Sequence, residues 1–194
     1  GKVDPFERVA DAVAREIHEE IGITIKPIIT LGGEHEVNEV WLDNVKVPVA
    51  NRVGQEGEGF RFAMMGLDGD RLNIGACSLG GAQRCLDEAI AYTKERSAFG
   101  QAIFDFQNTR FELAHCKSQV MATRTFVDHC ISREIAGELD AVTASMAKLW
   151  TTDMQCSVVD RCLQLFGGYG FMSEYPIAKM YAGARIQKIY GGAN

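Results

Sequence analysis

Five short stretches of this 194-residue chain gather residue types that bind charge or phosphate. Near the start, Glu16, Glu19 and Glu20 stand at positions i, i+3 and i+4, which puts three carboxylates on one helix face. Such a cluster binds Mg²⁺ and, through it, a pyrophosphate. In GLDGDRLNIG (66–75) an Asp70–Arg71 step follows Asp68 inside a helical pattern. On its own it reads as an internal ion pair or as a solvated or capping acid. In KERSAFGQAIFDFQ (94–107) Arg96 stands beside Phe99 and Gln107, with Gly100 making a turn. A guanidinium suits phosphate. In LQLFGGYGF (163–171) Gln164 supplies an amide, and Gly167 and Gly168 let a ligand approach the backbone and its N–H groups. In ARIQKIYGGAN (184–194) Tyr190, Gly191 and Asn194 close the chain. Taken singly, Arg96 reads as a surface ion pair at a helix end, and FGGYG as a helix stop with a tight turn.

The elements that position these residues follow from periodicity. Residues 5–21 form an amphipathic helix on Val9, Val13 and Ile17, with Gly22 as its stop. Three extended pieces come next, at 23–30, 36–43 and 46–50, with Pro27 placing the first at an edge and Val40 and Leu42 alternating with polar neighbours. From about Glu58 the period changes from two to near 3.6. Helices are predicted over 58–95, with a weak point at Gly66 and Gly69, and over 104–135, 139–166 and 175–189. The second carries Leu113, Cys116, Val120, Val127 and Cys130 on one face. The third carries two stripes: Val142, Met146, Leu149, Cys156, Val159, Leu163 and Phe166, and Ala147, Trp150, Met154, Val158, Cys162 and Leu165. Two stripes place it centrally in a bundle. The expected fold is mainly α, a four-helix up-down bundle preceded by a short helix and a few antiparallel β-strands.

Composition narrows the function. Twenty Lys and Arg against 26 Asp and Glu leave a net charge of −6, which argues against a nucleic-acid or anionic-membrane surface. A 46% hydrophobic content excludes disorder as the dominant state. No uncharged apolar run approaches membrane-spanning length. The six cysteines form no C-x-x-C pair and lie in apolar helical patterns, so buried free thiols are expected, and the four histidines show no metal-ligand spacing with them. The start carries neither signal nor transit pattern, and a reducing interior, bacterial cytoplasm or mitochondrial matrix, is expected.

Read together, the bundle motifs resemble the acyl-CoA dehydrogenase family. The family's ER-x-x-FG-x-x-I-x-x-FQ appears as Glu95-Arg96-Ser97-Ala98-Phe99-Gly100 with Phe106-Gln107. Its Q-x-FGG-x-G appears as Gln164-Leu165-Phe166-Gly167-Gly168-Tyr169-Gly170, and its Y-[EG]-G-[TS]-N as Tyr190-Gly191-Gly192-Ala193-Asn194. Residues 34–60 look like the end of the family's middle β-domain. The resemblance covers about 23–194 and implies residues 23–56 as a β-domain remnant and 57–194 as the C-terminal helical domain. It implies an FAD enzyme that oxidises an acyl-CoA to the 2,3-enoyl-CoA, by α-proton abstraction and β-hydride transfer to flavin. It places Arg96, Phe99, Gln107, Gln164, Gly167, Gly168 and Asn194 against FAD, and Asp68, Arg71, Tyr190 and Gly191 near the acyl-CoA. Electron-transfer flavoprotein and a homodimer or homotetramer are the implied partners. The family's base is a Glu at the position of Gly191 or of Asp70. Neither holds Glu here. Asp70 is the candidate base, one methylene short, and a misplacement of about 1 Å can cost on the order of 100-fold in rate. The family's remaining parts hold much of the flavin ring and acyl pocket, so a complete active site is not expected from this chain alone.

Residues 1–23 resemble the Nudix box, G-x5-E-x7-R-E-U-x-E-E-x-G-U with U apolar, through Gly1, Glu7, Arg15-Glu16-Ile17, Glu19-Glu20 and Gly22-Ile23. That resemblance implies Mg²⁺ on Glu16, Glu19 and Glu20 and a pyrophosphohydrolase as the alternative function. An acidic helix with solvated glutamates explains the same letters. A non-catalytic helical oligomerisation module is the third reading.

Overall fold

A period near 3.6 with no proline carries the chain through 37 residues of unbroken helix, α1 (Gly59–Glu95). The expected weak point at Gly66 and Gly69 does not interrupt it. The structure, a computed structural model, describes residues 21–194 apart from the side chain of Asp68. Three more helices follow: α2 (Gln107–Ile135), α3 (Ala141–Leu165) and α4 (Pro176–Ile186). Their ends obey local chemistry. At the end of α2, Gly137 at φ +70° lets its own N–H reach the Glu134 carbonyl and the Glu138 N–H reach Arg133, a Schellman cap. Asp140 opens α3, accepting from the Thr143 amide at 2.9 Å, and that bond holds its carboxyl below the usual range. Pro176 starts α4 with its φ already helical.

The four helices share one apolar core. Leu79, Leu86 and Ala89 of α1 meet Val120 and Val127 of α2, Val158 and Val159 of α3, and Ile177 of α4. All five residues expected on the inner face of α2 are buried. Helix α3 packs against both α2 and α4. Only part of its double stripe is covered, however. Val142, Met146, Leu149 and Trp150 are exposed, and the buried band runs Ala144, Ala147, Lys148, Thr151, Gln155, Val158 and Cys162. Small residues at that band let helices come close. A β-carbon on Gly75 would stand 3.2 Å from Thr151 Oγ1, and one on Gly81 would stand 2.5 Å from Gln155 Nε2.

The thiols divide. Cys85, Cys116, Cys130 and Cys162 are buried, but Cys156 is half-buried and Cys77 exposed, because the α1 face bearing Cys77 is turned from the core. The Cys116 thiol is pushed far up by its hydrogen bond with Cys162 and by burial, so it is inert as a nucleophile.

The described residues form two compact units, 21–59 and 60–194. In the first, β1 (Ile23–Ile29) pairs antiparallel with β2 (His35–Leu42), Ile25 opposite Val40. Every β2 side chain is exposed, so Val40 and Leu42 line no core here. The expected third strand at 46–50 is absent. Pro48 removes an amide donor, and the chain turns into a 3₁₀ segment at Val49–Asn51. Gly22, at φ +73°, ends the preceding helix at Ile21, and its carbonyl accepts from Asp43 N–H at 2.8 Å. The rest of the 5–21 helix, with Glu16, Glu19 and Glu20, lies outside the described residues.

Gly168 and Gly170 separate packing from conformation. A β-carbon at Gly170 would stand 2.7 Å from the Leu163 carbonyl oxygen, whereas one at Gly168 would meet nothing within 4 Å. Equilibrium urea unfolding should show Gly170→Ala destabilised by roughly 1–3 kcal/mol and Gly168→Ala within about 0.5 kcal/mol of the parent.

Candidate functional site

Helix α1 delivers Arg96 just beyond its last turn. The Arg96 N–H still donates to the Tyr92 carbonyl at 2.8 Å, while the Arg96 carbonyl accepts from Ile103 N–H at 2.8 Å. Between them lies a miniature hairpin, β3 (Ser97–Ala98) against β4 (Gln101–Ala102). Its two-residue loop has Phe99 at φ +54° and Gly100 at φ +83°, the signs a type I′ turn demands. A bulky residue in that region is strained. The ring it carries is 95% exposed, touching Phe106 edge-on at 6.4 Å.

The 3₁₀ segment Gly167–Phe171 brings the second motif to the same place. A cavity of about 370 Å³ is bounded by Arg96, Gly167, Gly168 and Tyr169, with Tyr92 and Phe166 at its base. A second, about 380 Å³, shares Tyr92, Arg96 and Tyr169 and adds Glu95, Ser97 and Tyr175. Gly167 adopts φ +58°, and neither Gly167 nor Gly168 has an atom within 4 Å of where a β-carbon would sit. A guanidinium facing an open Gly-Gly backbone is a donor set for phosphate oxygens. The groove can therefore take phosphate oxygens. Gln164 and Gln107 are exposed and, like Phe99, do not line either cavity.

Two of the remaining candidates meet farther back along α1. Arg71 Nε donates to the Gly191 carbonyl at 3.4 Å, so the chain's final segment lies against the Asp70–Arg71 turn. Gly191 is at φ +66°, and a β-carbon there would run into Ile74 Cδ1. Position 191 carries no carboxylate, and its positive φ would strain one, while Asp70, next to Arg71, is exposed. Tyr190 donates to Gln187 Oε1 at 2.5 Å, and burial raises its pKa.

Asn194 is held rather than offered. Its amide donates to Thr152 Oγ1 at 2.8 Å and Asp153 Oδ1 at 3.1 Å, and its Oδ1 accepts from Lys148 Nζ at 2.7 Å. Lys148, only 4% exposed, also donates to the Gly192 carbonyl. Burial lowers its pKa, with Asp153 pulling it back up. Lys188 adds an ion pair to Asp153 at 2.5 Å. Sequence reading missed this clasp. The available signal was a lysine inside a band of Ala144, Ala147 and Thr151. The tyrosines around Arg96 were missed as well; Tyr92 stands one helical turn before it.

Among the described residues, no group of three His, Cys, Asp or Glu side chains is arranged to hold a metal ion. No described helix is long and apolar enough to cross a membrane.

Comparison with known proteins agrees with this geometry. Residues 57–194 match the family described as acyl-CoA dehydrogenase, C-terminal domain. The chain is 38% identical over 156 residues to the mitochondrial long-chain specific acyl-CoA dehydrogenase of Rattus norvegicus, covering 80% of this chain and 36% of that protein. It is 40% identical over 156 residues to a short-chain specific acyl-CoA dehydrogenase of Megasphaera elsdenii, covering 80% of this chain and 41% of that one. The solved butyryl-CoA dehydrogenase of Megasphaera elsdenii superposes with a TM-score of 0.84 at 37% identity, over 89% of this chain and 46% of that one. The chain thus spans less than half the length of these relatives. The Nudix-like box lies outside the family match.

The Lys148 clasp yields a direct test. Lys148→Met leaves the Gly192 carbonyl and Asn194 Oδ1 without their donor. Denaturation should show a loss of roughly 1–3 kcal/mol. Hydrogen exchange should be faster at the Asn194 amide, which donates to Lys188 O at 3.1 Å in the parent.

Proposed function

The chain belongs to the acyl-CoA dehydrogenase family, and from that premise we propose that it supplies the helical part of an FAD-dependent enzyme converting an acyl-CoA thioester to its 2,3-enoyl-CoA. The observation that carries the reading is the groove lined by Arg96 together with Gly167 and Gly168, residues of two motifs far apart in sequence brought to one cavity. Bound flavin supplies the acceptor for the β-hydride. The rest of the work falls to side chains. Arg96 neutralises pyrophosphate charge, and the Gly167 and Gly168 backbone accepts close approach of its oxygens. Phe99, Gln107 and Gln164, which lie outside the cavities, would flank the dinucleotide by their place in the family motifs. Asn194 acts through its hold on the final segment. Asp70 removes the α-proton, since position 191 has no side chain to do so. Arg71, fixed on the Gly191 carbonyl, and Tyr190 flank the thioester, as does Asp68 by its place in α1.

The same premise implies electron-transfer flavoprotein as redox partner. A homodimer or homotetramer is consistent with the exposed Met146, Leu149 and Trp150 of α3. Relatives are mitochondrial and bacterial, so the matrix or the bacterial cytoplasm is the proposed location. The proposed organisation is a β-domain portion at 23–56 and the helical domain at 57–194, after a Nudix-box-like helix at 1–22.

Purification in the presence of FAD should return a yellow protein with stoichiometric flavin, bleached anaerobically by an acyl-CoA with formation of the 2,3-enoyl-CoA. A colourless protein that retains no flavin would overturn the enzyme reading for this chain. With flavin bound, Asp70→Asn should lower turnover by roughly 10²–10⁴-fold, and Asp70→Glu should raise it by extending the carboxylate toward the substrate. Unchanged rates in both variants would remove Asp70 from the mechanism.

A further inference from the structure

We propose that Tyr169 is a positioning residue for Arg96, holding the guanidinium over its ring so that the charge faces the Gly167–Gly168 groove. The inference rests on the reading of that groove as a pyrophosphate site. It explains how an arginine beyond a helix end becomes a phosphate ligand rather than a waving surface charge.

The Arg96 guanidinium carbon lies 5.4 Å from the centre of the Tyr169 ring, within cation–π range. Among the described residues no carboxylate pairs with Arg96, so the ring is what holds its head group. A carboxylate partner would compete with phosphate for the same N–H fork. A π-face uses none of the five N–H donors and leaves the fork free. The contact therefore orients the cation without neutralising it.

Tyr169 can do this because its own ring is fixed. It packs on Tyr175 at 5.1 Å, and Tyr175 stands edge-on to Tyr92 at 6.3 Å and to Phe166 at 6.2 Å. Tyr92 stacks on Phe166 at 4.0 Å with 13° between the planes. The rings run without a gap from the buried Phe166 to the Arg96 head group. Gly170 anchors the next position, since its packing on Leu163 admits no β-carbon. The backbone of Arg96 is tied to the same cluster through the Tyr92 carbonyl. Both cavities are bounded by the Arg96–Tyr169 pair.

The test has two readouts on the full chain. In ¹⁵N-labelled protein without ligand, the Arg96 Nε–H proton, identified by its absence from Arg96→Lys, should be shifted upfield by the ring current. The shift should persist in Tyr169→Phe and vanish in Tyr169→Leu and Tyr169→Gln, two replacements that guard against misfolding of either one. A resonance that is identical in the parent and in the ring-less variants overturns the proposal. The second readout is FAD binding followed by fluorescence quenching. Arg96→Leu should weaken it on the order of tenfold or more, and Tyr169→Leu about two- to fivefold, with Tyr169→Phe retaining parental affinity. A Tyr169→Leu protein that binds FAD as the parent does, while Arg96→Leu does not, overturns the positioning role. Failure of the parent itself to bind FAD overturns the cofactor reading, and the ring-current result then decides the Arg96–Tyr169 contact by itself.

Discussion

Helices α1 and α3 approach closely at two glycines, and both ends of the helical unit are placed by that contact. Gly75 lies against Thr151 and Gly81 against Gln155, so the backbone of α1 rides directly on the side chains of α3. A near-backbone approach of this kind fixes the axial register of the two helices, because only those positions can be adjacent. Register in turn decides what each end of α1 faces. At one end, Arg71 and Ile74 meet the closing Gly191 segment while Lys148 of α3 grips Gly192 and Asn194. At the other, Arg96 emerges beside the Gly167–Phe171 turn that ends α3.

Two different devices hold charge at those ends. Lys148 is buried, and its ammonium is satisfied by a carbonyl and an amide oxygen, with Asp153 nearby to offset desolvation. Such a group specifies one position for the final segment, since any other would leave the ammonium unpaired. Arg96 is exposed and held by an aromatic face instead, which keeps its hydrogen-bonding capacity for a ligand. The first arrangement suits structure and the second suits binding. At the binding end Phe99 sits at positive φ in a two-residue turn and turns its ring outward.

Part of the molecule's apolar surface is left uncovered. The outer half of the α3 stripe, Val142, Met146 and Leu149, faces solvent, as do the side chains of β2. Periodicity marks such residues as apolar but does not say which neighbour covers them. A two-stranded hairpin gains little from its own burial.

Much of the fold was legible in the residues. The switch from period two to period 3.6 near Glu58, the inner face of α2 and the break between α2 and α3 are local matters of side-chain spacing, and spacing alone determines them. The motifs around Arg96, Gly167 and Tyr190 were legible as well, because unusual clusters of glycine, arginine and aromatic residues stand out against plain packing. The sequence did not show that Lys148 would reach the chain's end, that Tyr169 would lie under Arg96, that Pro48 would turn a strand into a 3₁₀ segment, or that Cys77 would face outward. Apart from Pro48, whose effect turns on which way the chain bends, each of these is a contact or a facing set by how the helices pack. Periodicity records which side of a helix is apolar. Only the close crossing of α1 and α3 decides which residues, dozens of positions apart, share the space between them.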